Sequence, residues 1–161
     1  MGFRLRFEMV CIIVLCSACA NSPSEYNRDD YSFTPYHLGT FIGYYTGLYC
    51  EDVEIDHLVS LADAHASGAN EWSNLEKKRF ANDKSNHVPA CPSINRSKGS
   101  SSPSDFLRKS RDGTGIEFSF MDFCGYVGRY IEIKAAYRLA ITREELTLLE
   151  DCPEKSQRAR Y

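Results

Sequence analysis

The sequence has no apolar run long enough to cross a bilayer. The longest, Met9 to Leu15, falls far short of the roughly 20 residues a helical span needs, which excludes a permanent helical anchor. After residue 20 it has no two cysteines standing two to four residues apart, so the usual zinc-finger framework is missing there. It has only one tryptophan and four histidines. It also lacks a strong net charge, with 19 Lys and Arg against 22 Asp and Glu and a formal charge of -3, which argues against tight non-specific binding to nucleic acid.

What is present begins with an export signal. Arg4 and Arg6 precede the apolar run, and the small residues "CSACAN" follow it, the layout of a cleaved leader over residues 1–20. Two processing sites compete. Ala18-Cys19-Ala20 has the small-x-small form cut by general signal peptidase, whereas "LCSAC" approximates a bacterial lipobox with Cys19 as the lipidated residue. The product is therefore extracytoplasmic, either an envelope lipoprotein or a soluble periplasmic or secreted protein.

Removing the leader leaves Cys50, Cys91, Cys124 and Cys152, an even number in a chain bound for an oxidising compartment, and two disulfides are expected. Of three possible connectivities, the two C-terminal helices read as an antiparallel pair that brings Cys124 beside Cys152; by elimination Cys50 then meets Cys91. The mature chain suffices for one domain with a modest core. Residues 21–38, polar and turn-rich, read as a flexible tether, residues 39–152 as the domain and 153–161 as a polar tail.

Charge is segregated within that domain. From Glu51 to Glu76 there are seven acids and no Lys or Arg; from Lys77 to Arg111 there are nine Lys or Arg against Asp83 and Asp105. A solvated helix face beside a basic loop gives this pattern, and so does an acidic pocket beside a phosphate-attracting rim.

The periodicities predict an α+β fold. "GTFIGYYTGLYC", residues 39–50, suggests a strand pair with a turn, and "VEIDH", residues 53–57, a short strand whose Glu54 and Asp56 point away from the core. A helix carries Leu58, Leu61, Ala62 and His65 on one face, with His65 structural. Ser73-x-x-Glu76 is a capping box opening a second helix with Leu75 and Phe80 inward. Residues 86–91 read as a brief strand, "PSINRSKG" as a compact helix closed by Gly99, and Ser102-Pro103 as the start of another. Phe120, Phe123, Cys124, Val127, Tyr130 and Ile131 form the stripe of a long helix, and Thr142-x-x-Glu145 opens the last, with Leu146 and Leu149.

Four residues make a candidate site. Asp56 and Asn95 offer hard oxygen ligands to one divalent ion, Mg2+ first and Mn2+ as the alternative. His57 is suited to deprotonating a water, and Asn86 to fixing its tautomer through the other ring nitrogen. These are parts of a one-metal phosphodiester hydrolase.

The stretch "IDHLVSLADAHASGANEWSNLEKKRFANDKSN…NRSKG…P", with "CGYVGRYIEIKAAYRLAITREELTLLEDC", resembles the exported HNH-endonuclease-like proteins of the GmrSD C-terminal type over roughly residues 45–152. The resemblance rests on Asp56-His57, the Ser67-Gly68-Ala69 turn before Trp72, Phe80-Ala81-Asn82-Asp83 and Asn95-Arg96-Ser97-Lys98-Gly99 in combination. It implies a ββα-metal core with a helical insertion and a C-terminal helical hairpin. Asp56 would be the first metal ligand, His57 the general base, Asn86 the middle Asn, and Asn95 would stand where the family name has its last His. Asn in that place favours Mg2+ or Mn2+ over zinc or nickel. Arg96 and Lys98, flanking Asn95, would contact phosphate. Asp83 reads as a helix terminator. His87 departs from the pattern and reads as an extra ligand or an exposed strand residue, and "SDFLRKS" lacks the family's Trp-Leu-Pro, which implies a different substrate-facing loop. The implied activity is hydrolysis of DNA, with RNA as the alternative substrate. The competing class is an envelope lipoprotein or binding module that keeps the fold without efficient catalysis.

Overall fold

The computed structural model describes residues 24–111, 113, 115 and 118–158, the last six by backbone alone. The leader and Cys19 lie outside the described residues. The architecture is α+β. Two antiparallel strands, β1 (Glu54–His57) and β2 (His87–Ala90), pair in a register that sets Glu54 opposite Ala90 and His57 opposite His87. Between them lie α1 (Leu61–Ala66) and α2 (Asn74–Ala81). After β2 come α3 (Pro92–Lys98), α4 (Pro103–Lys109), α5 (Phe123–Ala136) and α6 (Arg143–Arg158).

Local chemistry sets these boundaries. Ser60 accepts from the Asp63 amide to start α1, and Ser73 and Glu76 form the reciprocal box that starts α2. Pro92 occupies the first turn of α3, where its missing N–H costs nothing, and Gly99 ends that helix at φ +53°. Ser102 caps α4, Asp122 caps α5, and Thr142 and Glu145 exchange bonds at the start of α6. The stretch 39–50 forms a hairpin held by one bridge, Ile42 to Tyr49, with Gly47 at φ +67° in its turn. Gly43 lies against the Cys50–Cys91 disulfide, where an added Cβ would come within 3.0 Å of a sulfur.

Both disulfides join the partners expected from the sequence. Cys50–Cys91 ties the hairpin to the start of α3, and Cys124–Cys152 ties α5 to α6, with Cα separations of 5.5 and 5.4 Å. The core sits between the sheet and α5. Tyr45 meets Phe106, Phe120 and Tyr126 edge to face at its centre, at 5.1 Å from Phe106 and 5.2 Å from Tyr126. Each such contact adds about 0.5–1.5 kcal/mol beyond area burial. Two turns further along the same face of α5, Lys134 is buried against Glu145 at 2.7 Å and Asp63 at 3.5 Å, and the Tyr130 hydroxyl lies within hydrogen-bond distance of both acids.

Three expectations are corrected. Leu75 is exposed rather than inward, because the buried face of α2 is made by Lys77, Phe80 and Ala81; Leu146 is likewise exposed. Residues 153–158, expected as tail, continue α6. The segment read as a tether is docked from Ser24 onward. It carries a 3-10 turn, Arg28–Tyr31, capped by Asn27, and Tyr31 is fully buried. His65 fixes this strap, its Nε2 bonding the Ser24 carbonyl at 2.8 Å and its Nδ1 accepting from the Tyr31 hydroxyl at 3.2 Å. Asp30 pairs with Lys77 at 3.2 Å, and Asn82 bonds the backbone of Ser32 and Thr34. The polar composition concealed one apolar anchor, and a single buried tyrosine with paired polar neighbours is enough to hold the strap.

Candidate active site

The two-residue period of β1 places Glu54 and Asp56 on the same face, and α3 packs across that face. Residues three apart on α3 share a side of the helix, so Asn95 reaches Glu54 and Lys98 reaches Asp56. The Asn95 amide nitrogen donates to Glu54 Oε2 at 2.7 Å. Lys98 Nζ lies 3.1 Å from Asp56 Oδ2 and 3.2 Å from Oδ1, and donates to the His57 carbonyl at 2.8 Å. From the hairpin, the Tyr45 hydroxyl donates to Asp56 Oδ2 at 2.5 Å. Asp56 is thus 6 % exposed rather than free in solvent. It shares the predicted face with Glu54, but α3 covers that face.

Lys98 therefore cannot serve as a surface phosphate contact. It is completely buried, and Asp56 holds its charge. Arg96 is exposed, yet it points into a different cavity, of about 820 Å3, which it lines with Arg111 and Tyr49.

His57 closes β1 with its ring in the protein. Its Nε2 lies 2.8 Å from the Ala81 carbonyl, which can only accept, so Nε2 carries the hydrogen and Nδ1 of the neutral ring holds the lone pair. Nδ1 has no hydrogen bond among the described residues, and His57 as a whole is 5 % exposed. Opposite it on β2, His87 brings its own Nε2 to the same carbonyl at 3.0 Å, with the rings 4.7 Å apart and perpendicular. The Tyr36 hydroxyl donates to His87 Nδ1, and Phe33 meets both rings edge-on. Burial depresses the His57 pKa to about 4; the Ala81 bond opposes the shift, and the charges of His87, Lys98 and Arg28 add to it. At neutral pH the ring is an uncharged proton acceptor.

Asn86 does not touch the His57 ring. Fully buried, it accepts from the Val59 amide at 2.9 Å and donates to the Val59 carbonyl at 3.0 Å, latching the chain as it leaves β1. It sets the position of His57 through the backbone. The His57 tautomer is set by Ala81 instead. Asp83 is structural, as expected: it caps the turn before β2 and accepts from Tyr137 at 2.6 Å.

Asp56, His57 and Asn95 line one cavity of about 300 Å3, with Tyr26, Arg28 and Ser60 among the other residues of its wall. Sequence reasoning singled out His87 without pairing it with His57, and it missed Tyr45, Glu54 and Arg28. Strand alternation already placed Glu54 beside Asp56; for Tyr45 and Arg28 no local signal exists, because each arrives from an element distant in the chain. Among the described residues no group of three or more His, Cys, Asp or Glu gathers to hold a metal. No described helix is long and apolar enough to cross a membrane.

No model of a known protein family matches the chain, and no solved structure does. A relative from Arthroderma benhamiae, named "Uncharacterized secreted protein", is 29% identical over 119 residues. The match covers 73% of this chain and 51% of the relative, so the chain spans about half the length of the relative it matches.

Proposed function

We propose that this protein is an extracytoplasmic, metal-dependent endonuclease with an HNH-type ββα core made of β1, β2 and α3, hydrolysing phosphodiester bonds of DNA or, as the alternative substrate, RNA. The observation that carries the reading is the convergence of Asp56, His57 and Asn95 on one cavity, with Nδ1 of His57 left without a hydrogen bond among the described residues. Two disulfides and a relative named as secreted support the location. Anchoring through a lipidated Cys19 and release as a soluble product remain the two forms of that location.

The donor chemistry fits a hydrated Mg2+ or Mn2+ rather than a closed zinc site. Asp56 Oδ1 has only the 3.2 Å contact to Lys98, and the Asn95 oxygen is unbonded among the described residues because its nitrogen faces Glu54. Such an ion, when bound, neutralises charge on the phosphate and the leaving oxygen. His57 Nδ1 takes the proton of a water that attacks phosphorus in line with the departing P–O bond. The Ala81 carbonyl stabilises the imidazolium that results, and Asn86 keeps the strand end rigid while this happens.

One observation favours a second reading, a binding module without efficient catalysis: Lys98 already neutralises Asp56, and an incoming cation must compete with it. Plasmid nicking by the oxidised mature protein separates the two. Nicking that requires Mg2+ or Mn2+, stops in EDTA and falls by about 100-fold or more in His57→Ala is the expected result. No metal-dependent nicking, or nicking indifferent to His57→Ala, leaves the binding module.

A further inference from the structure

The nuclease reading leaves the cavity without a group to hold phosphate, since Lys98 is consumed by Asp56 and Arg96 points elsewhere. The N-terminal strap supplies one. Arg28 is the only Lys or Arg among the described residues that line the cavity with Asp56, His57 and Asn95. It is exposed, no described carboxylate lies within ion-pair distance of it, and its charge acts on the Tyr26 hydroxyl two residues before it. A guanidinium without a counter-ion, at the mouth of a cavity whose polar wall includes a carboxylate and a neutral imidazole, is suited to bind an anion.

The strap also holds Arg28 in place. Asn27 caps the turn that carries it, Asp30 is tied to Lys77, and three residues on, Tyr31 is buried against His65. A side chain rooted in a fixed turn loses less freedom on binding than one on a loose arm.

Resting on the nuclease reading for its substrate class, we propose that Arg28 is the phosphate-binding residue of this cavity, its guanidinium holding the nonbridging oxygens of the phosphodiester brought to His57 and Asp56. The strap is then part of the active site and not a spacer. Arg28 binds and orients the phosphate, while His57 handles the proton.

The test is binding of a short fluorescent DNA duplex to the full mature protein in EDTA, followed by anisotropy over a series of salt concentrations. Arg28→Ala, Arg28→Lys and, as a control for loss of one surface charge, Arg143→Ala are compared with wild type, and melting temperatures confirm that each variant is folded. Arg28→Ala is expected to weaken binding about tenfold and to lower the slope of log affinity against log salt by about one. Arg28→Lys should keep the slope and recover part of the affinity; Arg143→Ala should change neither. Wild type that does not bind the duplex, or Arg28→Ala that binds with wild-type affinity and slope, overturns the proposal.

Cleavage assays on the same proteins keep the two readings apart. Arg28-dependent binding without metal-dependent cleavage removes the hydrolase and leaves the phosphate site. Metal-dependent cleavage with KM and kcat unchanged in Arg28→Ala removes the phosphate site and leaves the hydrolase.

Discussion

Lys98 and Asp56 form a buried ion pair at 3.1 Å across the interface of α3 and β1, and the same ammonium holds the carbonyl of His57. One lysine thus fixes both the candidate metal ligand and the backbone of the candidate base. Replacing it with Met removes one member of a buried pair, and the Asp56 charge is left with only the Tyr45 hydroxyl. The expected cost in EDTA is about 3–5 kcal/mol. Millimolar Mg2+ should then raise the melting temperature of Lys98→Met more than that of wild type, because the cation takes over a freed carboxylate. Equal responses would show that Asp56 does not meet the ion.

Asn86 acts through Val59, so its removal is read in the backbone. Asn86→Ala deletes two buried hydrogen bonds and strands the amide and carbonyl of Val59, at a cost of about 2–4 kcal/mol. Hydrogen exchange should show lost protection at the Val59 amide, with the effect spreading to His57. Unchanged protection at Val59 would refute the latch.

The core contains one atom that works against it. The Tyr126 hydroxyl is buried with no hydrogen-bond partner among the described residues. An unsatisfied buried hydroxyl costs about 1–3 kcal/mol, so Tyr126→Phe is expected to stabilise the protein by about 1 kcal/mol. Denaturant unfolding reads this directly, and a loss of stability would point to an unrecognised partner for the hydroxyl.

Glu145 gives an acid-dependent contribution of definite sign. Burial alone would raise its pKa, but bonds from Lys134, the Thr142 amide and Tyr130 outweigh it and hold the group below the ordinary value of 4.5. A depressed folded-state pKa means the stabilisation is complete above the unfolded value and is lost as pH falls through the folded one. Melting temperature of wild type should therefore fall more steeply on acidification below about pH 4.5 than that of Glu145→Gln, which has no carboxylate there to protonate. Parallel curves would mean that this pair contributes nothing to acid sensitivity.

Both disulfide pairings, the capping boxes, and the positions of β1, β2, α3 and α4 were legible in the sequence, because each depends on residues close in the chain or on the few ways four cysteines can join. Strand alternation even put Glu54 and Asp56 on one face correctly. It could not say what covers that face. Asp56 was expected in solvent, and Lys98 beside nucleic acid, because charged residues at a strand end and a helix end read locally as exposed. Only the packing of α3 on β1 turns them toward each other.

The polar segment 21–38 misled for a related reason. Composition averages over a window, whereas docking needs one buried tyrosine and a histidine 34 residues away to receive its hydroxyl. The sequence by itself determined which elements form, where they start and stop, and which residues carry chemistry, since capping, alternation and cysteine count act over short range. Tertiary structure alone decided which of those residues meet: Tyr45 and Lys98 on Asp56, Ala81 and His87 on His57, Arg28 at the cavity. Such contacts join positions tens of residues apart, and their energy exists only once the chain has closed the loops between them.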